Sequence, residues 1–481
     1  VIPLTAAQIA EAVGGRLHNV SGDVTVTGTV EFDSREVTPD GLFVAIPGAK
    51  VDGHDFAKSS GARLTLAARE IDAPAVIVPP VADMKRGAFA LAGDKDGSGA
   101  AVLAALAALA RYVAARLPDL TIVGVTGSSG KTSTKDLIAQ VLEPMGPIVA
   151  PPGSFNNEIG HPWTVLRADE NTRNLVLELS ARGKGHIRAL AELAPPKIGA
   201  VLNVGTAHIG EFGSREGIAE AKGELVEALP EDGVAILNAD DPLVKAMASR
   251  TKARVVFVGE SPDAHIRAEN IVLDSEARAS FRLVTPQGDA DVTLALHGPH
   301  HVGNALSAAA VALELGATPA EVAERLSQAK RVSARRMDVT TRPDGVTVVN
   351  DSYNANPDSV KAALKSVAEI ARRENRRTWA VLGTMADLGA EHVAAHDEIG
   401  RFVVRLDINR LVVVGDQARA MHQGAHLEGS WGEESVLVPD VDAAVALLRT
   451  ELRPGDVVLV KASKSEALWR VADALLEDDA R

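Results

Sequence analysis

The sequence predicts an α/β protein of three domains, on three observations. The chain has 481 residues, and domains run to roughly 100–200 residues each. From about residue 100, short apolar runs alternate with helical stretches, which is the pattern of βαβ units. A hairpin signal at Arg342-Pro343-Asp344-Gly345 then restarts the alternation and marks a further sheet.

Residues 1–97 are expected to form a small N-terminal α/β domain. Its β-rich runs at 24–30, 42–46 and 75–78 are punctuated by Gly, Pro and Asp. Residues 85–98 lack periodicity and read as a linker or surface loop. Residues 98–332 are expected to form the central domain. Its apolar runs at 121–125, 175–179, 200–204, 234–238 and 254–258 suit strands buried on both faces of a mostly parallel sheet. Leu137, Ile138, Val141 and Leu142 share one helical face just after the first of these strands. Residues 333–481 are expected to form a smaller Rossmann-like α/β domain. It has strands near 339–341, 346–350, 379–382, 411–414 and 457–460, but no glycine fingerprint for a dinucleotide.

Composition narrows the function. The net charge of −14 argues against a nucleic-acid binder, which draws affinity from Lys and Arg on phosphates. There is no cysteine, so disulfides and thiolate metal sites are excluded. Residues 99–117 are apolar but alanine-rich and carry Arg111 and Arg116, so a soluble helix is expected there rather than a membrane span. No basic region followed by an apolar run opens the chain, and a cytoplasmic monomer is expected, with some residues missing before Val1.

The strongest motif is Gly127-Ser128-Ser129-Gly130-Lys131-Thr132-Ser133, between an expected strand and an expected helix. In that setting glycines let backbone N–H groups cradle phosphates, and the helix N-terminus favours their charge. Lys131 would reach the β- and γ-phosphates and Thr132 would ligate Mg2+. The loop is the short G-x-x-G-K-T form, because Val125 stands where the longer form has its first glycine. Such a loop implies a nucleoside triphosphate and leaves the reaction open.

Glu178, Asn203 and His208 fall at or just beyond the ends of later strands, where open α/β sheets bind ligands. Of these, Glu178 and His208 would converge with Thr132 on one crevice and make a mixed magnesium site. Taken singly, Glu178 also reads as a solvated strand-end acid and His208 as a capping or core histidine. Lys222, in Ala221-Lys222-Gly223-Glu224, reads on its own as a solvated helix lysine.

These motifs, in this order, resemble the Mur ligase family along nearly the whole chain. Asp33-Ser34-Arg35 and Gly53-His54-Asp55-Phe56 are similar to that family's UDP-binding domain, which implies that Ser34 and Arg35 hold the uridine nucleotide. The segment 153–162, with Asn156, Asn157 and Glu158, resembles an acceptor-binding segment. Lys222 falls where several family members carry a carbamylated lysine, which implies a carbamate oxygen for a second Mg2+ shared with His208. Asn304 and Arg336 match residues at the adenine end of ATP and at the hinge into the third domain. Asp351-Ser352-Tyr353-Asn354-Ala355-Asn356-Pro357 resembles a signature in which the aspartate lies near the ATP ribose and the asparagines, Asn354 and Asn356, near an incoming dipeptide. Asn238-Ala239-Asp240-Asp241 resembles a family segment without an assigned role. The resemblance implies ATP and Mg2+, UDP-N-acetylmuramoyl-tripeptide as acceptor, D-alanyl-D-alanine as incoming amine, and an acyl-phosphate intermediate. Two positions depart from the pattern: Ser180 replaces a common glycine, and Lys461-Ala462-Ser463-Lys464 replaces a Lys-Gly-Ser-Arg type loop.

Three alternatives remain at this stage. A ligase adding the third residue would carry Asp-Asn-Pro-Arg, which is absent. A folate polyglutamate ligase would lack the N-terminal domain. A nucleotide-dependent regulatory module would need only the phosphate loop and leaves the other motifs unexplained.

Overall fold

The structure is a computed structural model that describes residues 1–48, 51–80, 94, 96–372, 374–429 and 434–477. Most of the linker expected over residues 85–98 lies outside the described residues. Its last part starts a helix: Asp94 and Asp96 accept hydrogen bonds from the backbone N–H groups of Gly97, Ala100 and Ser98. These side chains satisfy donors that a helix N-terminus leaves free. The helix, Ser98–Ala114, is the alanine-rich stretch. Among the described residues no helix is long and apolar enough to cross a membrane.

Three α/β domains follow one another, each around its own main sheet. The first sheet runs Arg16–His18, Ala75–Ile77, Leu64–Ala67, Leu42–Val44, Val30–Glu31, and is parallel except for Arg16–His18. Helix Ser98–Ala114 packs on helix Ala6–Val13 and strand Leu64–Ala67 of this domain. It also packs on helices Gly160–Val165 and His186–Leu193 of the next. Leu42, Leu64, Leu106, Leu109, Leu175 and Leu225 therefore belong to one continuous core. The first domain is welded to the second by shared burial, at roughly 1.5–3 kcal/mol per fully buried leucine.

The central sheet has nine strands. Strand Thr121–Thr126 lies in its interior, between the parallel strands Asn174–Glu178 and Ile198–Val201. Register pairs Val125 with Glu178 and Thr126 with Val201, so three strand ends sit side by side. The loops leaving those ends carry the expected site. Leu137, Ile138, Val141 and Leu142 are all fully buried. One part of the sheet was not expected. Strands Ile266–Leu273, Arg278–Thr285 and Gly288–His297 extend it, the last two pairings antiparallel. Their exposed face is polar, so the apolar runs that marked the other strands are interrupted.

The third sheet runs Asp338–Thr341, Thr347–Asn350, Val457–Lys461, Thr378–Leu382, Arg410–Val414, Ser435–Val438, parallel beyond the first pair. The expected hairpin is present. Gly345 turns it at φ +85°, a conformation that costs a residue with a Cβ. Apolar cores cover both faces of this sheet. The approach to this domain is tied to the helix after the phosphate loop. Gln140 exchanges hydrogen bonds of 2.8 Å with the backbone of Lys330, and Asp136 accepts from the Ser333 N–H at 3.2 Å.

Candidate active site

The segment 127–133, the expected phosphate loop, links strand Thr121–Thr126 to helix Lys131–Leu142. Gly130 adopts φ +80°, which lets the chain turn into the helix without a Cβ penalty. Asn203 holds the loop from the neighbouring strand end. Its Oδ1 accepts the N–H groups of Ser128 and Ser129, both at 3.0 Å, and its Nδ2 donates to the Ser129 carbonyl. The Lys131 ammonium donates to the Gly127 carbonyl at 2.8 Å. Burial lowers its pKa, against the opposing charge of Glu178.

Glu178 sits in a cage of donors. Its carboxylate accepts Thr132 Oγ1 at 2.9 Å, Ser154 Oγ at 3.0 Å and Asn156 Nδ2 at 2.7 Å. It is 1% exposed, so these bonds replace the water it has lost. A hydroxyl and a carboxylate at the end of a phosphate loop are oxygen donors suited to a hard cation. Among the described residues no three His, Asp or Glu side chains converge on a point. A magnesium ion here fits as one that keeps phosphate and water oxygens for most of its ligands.

His208 follows strand Ile198–Val201 on a loop and takes φ +59°. Its Nδ1 lies 3.1 Å from Asp387 Oδ2 of the third domain. Burial, and then the charge of Lys131, holds the imidazole below its ordinary pKa, opposed by Asp387. A neutral ring is the ligand form of histidine. Lys222 is buried on helix Arg215–Glu227. Burial, and then the Lys131 charge, pushes its ammonium well below the usual lysine range. The solvated-lysine reading therefore fails for Lys222, since the side chain is not in water.

The segment 238–241 acquires a structural role. Asn238 donates to the Leu202 carbonyl, and Asp241 accepts the Val204 N–H at 2.7 Å. Together they brace the loop that carries Asn203 and His208.

The third domain supplies the facing wall. Asp351 accepts the Lys461 ammonium at 2.6 Å and the Met337 N–H at 3.0 Å. Lys461 also donates to the Asn354 carbonyl. Arg336 lies over the Tyr353 ring, 4.1 Å from its centroid. Asn356 caps helix Pro357–Arg372 by accepting the Ser359 N–H, so its carbonyl oxygen is already engaged. Asn157 does the same for Ile159 and Gly160.

A cleft of about 1040 Å³ brings most of the expected residues together. Ser128, Ser129, Gly130, Lys131, Thr132, Ser133, Asn156, Asn157, Glu158, Glu178, His208, Asn304, Arg336, Asp351, Asn354 and Asn356 all line it. Gly127, Lys222, Ser34 and Arg35 do not line it. Arg35 pairs with Asp33, whose carboxyl it holds down to about 2. Their neighbour Phe32 reaches toward the segment 153–162, 6.3 Å from the Phe155 ring. Asn304 sits against the phosphate loop: a Cβ at Gly130 would come within 2.7 Å of its Oδ1. A smaller cavity of about 220 Å³ opens beside Ser133, Asp136 and Arg336, along the linker at 330–339. Asp387 was not anticipated as a site residue, while Ser154 and Lys461 fell inside the segments 153–162 and 461–464 without being singled out. For Lys461 a signal existed, since it ends a buried parallel strand.

Known proteins place the chain in a family. Family models match in sequence along the chain: the Mur ligase family catalytic domain over residues 28–112, the Mur ligase middle domain over 125–312, and the Mur ligase glutamate ligase domain over 335–464. The chain belongs to the Mur ligase family. Within it, the chain groups with the branch that carries D-alanyl-D-alanine in its name. It is 58% identical to the UDP-N-acetylmuramoyl-tripeptide–D-alanyl-D-alanine ligase of Mycobacterium tuberculosis (strain ATCC 25618 / H37Rv), covering 100% of this chain and 99% of that protein. It is 34% identical to the Escherichia coli (strain K12) protein of the same name, over 99% of both chains. Among solved structures it resembles MurF from Acinetobacter baumannii, with TM-score 0.84, 28% identity and 99% of both chains covered. It also resembles MurF ligase from Thermotoga maritima in complex with ADP, with TM-score 0.78, 27% identity, and 96% and 99% covered.

Proposed function

We propose that the chain joins D-alanyl-D-alanine to UDP-N-acetylmuramoyl-tripeptide, using ATP and giving the pentapeptide precursor of the bacterial cell wall, ADP and phosphate. The observation that carries this reading is the single cleft in which a phosphate loop, the caged Glu178 and the third-domain segment Asp351–Asn356 face one another. An amide cannot form from a carboxylate in water without activation. The acceptor carboxylate attacks the γ-phosphate, ADP leaves, and the dipeptide amine displaces phosphate from the acyl phosphate. Both steps crowd anions, so positive charge at fixed positions is the main requirement.

Residues 1–97 are assigned as the uridine-nucleotide domain with Ser34 and Arg35, 98–332 as the phosphate-loop ATPase domain, and 333–481 as a Rossmann-like domain carrying the dipeptide through Asn354 and Asn356. Gly127–Ser133 cradle the phosphates, Lys131 neutralises the γ-phosphate, and Asn156, Asn157 and Glu158 hold the acceptor peptide. The nucleoside end of ATP extends along Asn304, Arg336 and Asp351. Thr132 and Glu178 hold one Mg2+, and His208 and carbamylated Lys222 hold a second. Bound there, the ions offset the repulsion between carboxylate and triphosphate. ATP and UDP-linked substrates are intracellular, which supports a cytoplasmic enzyme, and we assign it as a monomer.

The test is phosphate release from ATP with each co-substrate omitted in turn. Release that needs both the tripeptide nucleotide and D-alanyl-D-alanine supports the assignment. Release that needs neither, or fails with both present, removes the dipeptide. For Lys222 the lowered pKa favours the neutral amine, the form able to take up carbon dioxide. Lys222→Ala is expected to lose most activity and to regain part of it in acetate. Activity that stays flat across an acetate series speaks against the carbamate.

A further inference from the structure

The loop that carries His208 is held from both domains. On the central side, the Gly205 N–H donates to Ser128 Oγ of the phosphate loop at 2.9 Å. On the third-domain side, Asp358 Oδ2 accepts both the N–H and the hydroxyl of Thr206, at 2.7 and 2.9 Å. Asp387 meets the His208 ring at 3.1 Å. Just after these clasps Ile209 packs against the cores of both domains. One residue further on, two glycine backbones touch. A Cβ built on Gly210 would stand 2.6 Å from the Gly389 nitrogen, and one on Gly389 2.8 Å from the Gly210 Cα. No side chain fits between them.

We propose that this contact is the latch of domain closure, and that Asp358 is a positioning residue that sets the His208 loop when the third domain docks. This rests on the reading of His208 as a site residue facing the transferred phosphate. His208 holds a left-handed backbone that is costly for a residue with a side chain. Neighbours on both sides over-determine it. When the third domain leaves, Thr206 loses both bonds to Asp358 and His208 loses Asp387, so the loop keeps only its central-side anchors. Chemistry is thereby confined to the docked form, in which the acyl phosphate is shielded from water.

Gly210→Ala separates the latch from local folding. Gly210 lies in helix Ile209–Phe212, outside the left-handed region, and alanine favours a helix over glycine. The three atoms nearest its methyl, at 2.6–3.0 Å, all belong to Gly389 and Leu388 of the third domain. The expected result is a thermal midpoint at or above wild type and a kcat lowered by roughly tenfold or more, with KM for ATP nearly unchanged. Small-angle scattering with a non-hydrolysable ATP analogue and Mg2+ is expected to show a more extended molecule than wild type. Asp358→Ala should give the same kcat and scattering pattern, and Asp358→Glu should recover part of both. Wild-type compaction in both Gly210→Ala and Asp358→Ala overturns the latch, whatever the activity. Scattering reads closure without turnover, so failure of the dipeptide assignment leaves this comparison standing.

Discussion

Lys131→Ala loses turnover by roughly 10²–10³-fold, equivalent to about 3–4 kcal/mol of transition-state stabilisation, and keeps its fold. The loss follows from where the charge sits. The ammonium is drawn in against the Gly127 carbonyl, beside loop N–H groups that already bond to Asn203. It is the loop's own cation, and in the low-dielectric cleft its attraction for a γ-phosphate is much stronger than in water. Stability moves the other way. Lys131 opens helix Lys131–Leu142, where a positive charge opposes the helix dipole and alanine is a better helix former. Phosphate release under saturating substrates, beside a thermal melt, separates the two effects. Turnover near wild type in a folded variant contradicts the role given to the loop.

How much of this site the sequence carried depends on the range of each signal. The phosphate loop was legible because strand, glycines, lysine and helix are contiguous. Glu178, Asn203 and His208 were legible as strand-end residues, since runs 175–179 and 200–204 lie close to the observed strands. The contacts among site residues were not: Asn156 was named for the acceptor and not as a donor to Glu178. The cage on Glu178 draws Ser154 and Asn156 from a loop with no regular pattern. Lys222 looked like a solvated helix lysine because its helix carries charge on several sides, and only packing reveals its burial. The antiparallel extension at Ile266–His297 was missed because its polar alternation gives no buried-strand run. The shared core of the first two domains was equally invisible. Leu42 and Leu225 are far apart in sequence, and nothing local to either says that they meet in one cluster. Motif position thus survives translation into structure, and the long-range contacts that tune each motif do not announce themselves.

Lys461 is the sharpest instance, and it yields the largest expected change in stability. It was read as part of a divergent loop. The structure buries it at the end of strand Val457–Lys461, with its side chain 3% exposed and that of its partner Asp351 14%. The ammonium donates to Asp351 Oδ2 at 2.6 Å, to the Asn354 carbonyl at 2.9 Å and to the Asp351 carbonyl at 3.3 Å. Removing the charge while keeping the stem, in Lys461→Met, strands the Asp351 carboxylate with the Met337 N–H as its remaining hydrogen-bond donor among those described. An uncompensated buried charge of this kind costs about 3–5 kcal/mol. A denaturant titration should show a lower midpoint at an unchanged slope. Asp351→Asn combined with Lys461→Met removes both charges and should recover most of that loss, because the penalty belongs to the unpaired ion and not to the absent pair. Activity should not recover with it, since Asp351 is the residue proposed to face the ATP ribose. A Lys461→Met variant within about 1 kcal/mol of wild type would mean that water reaches the pair and screens it like a surface bridge. The wall it builds would then be softer than its burial implies.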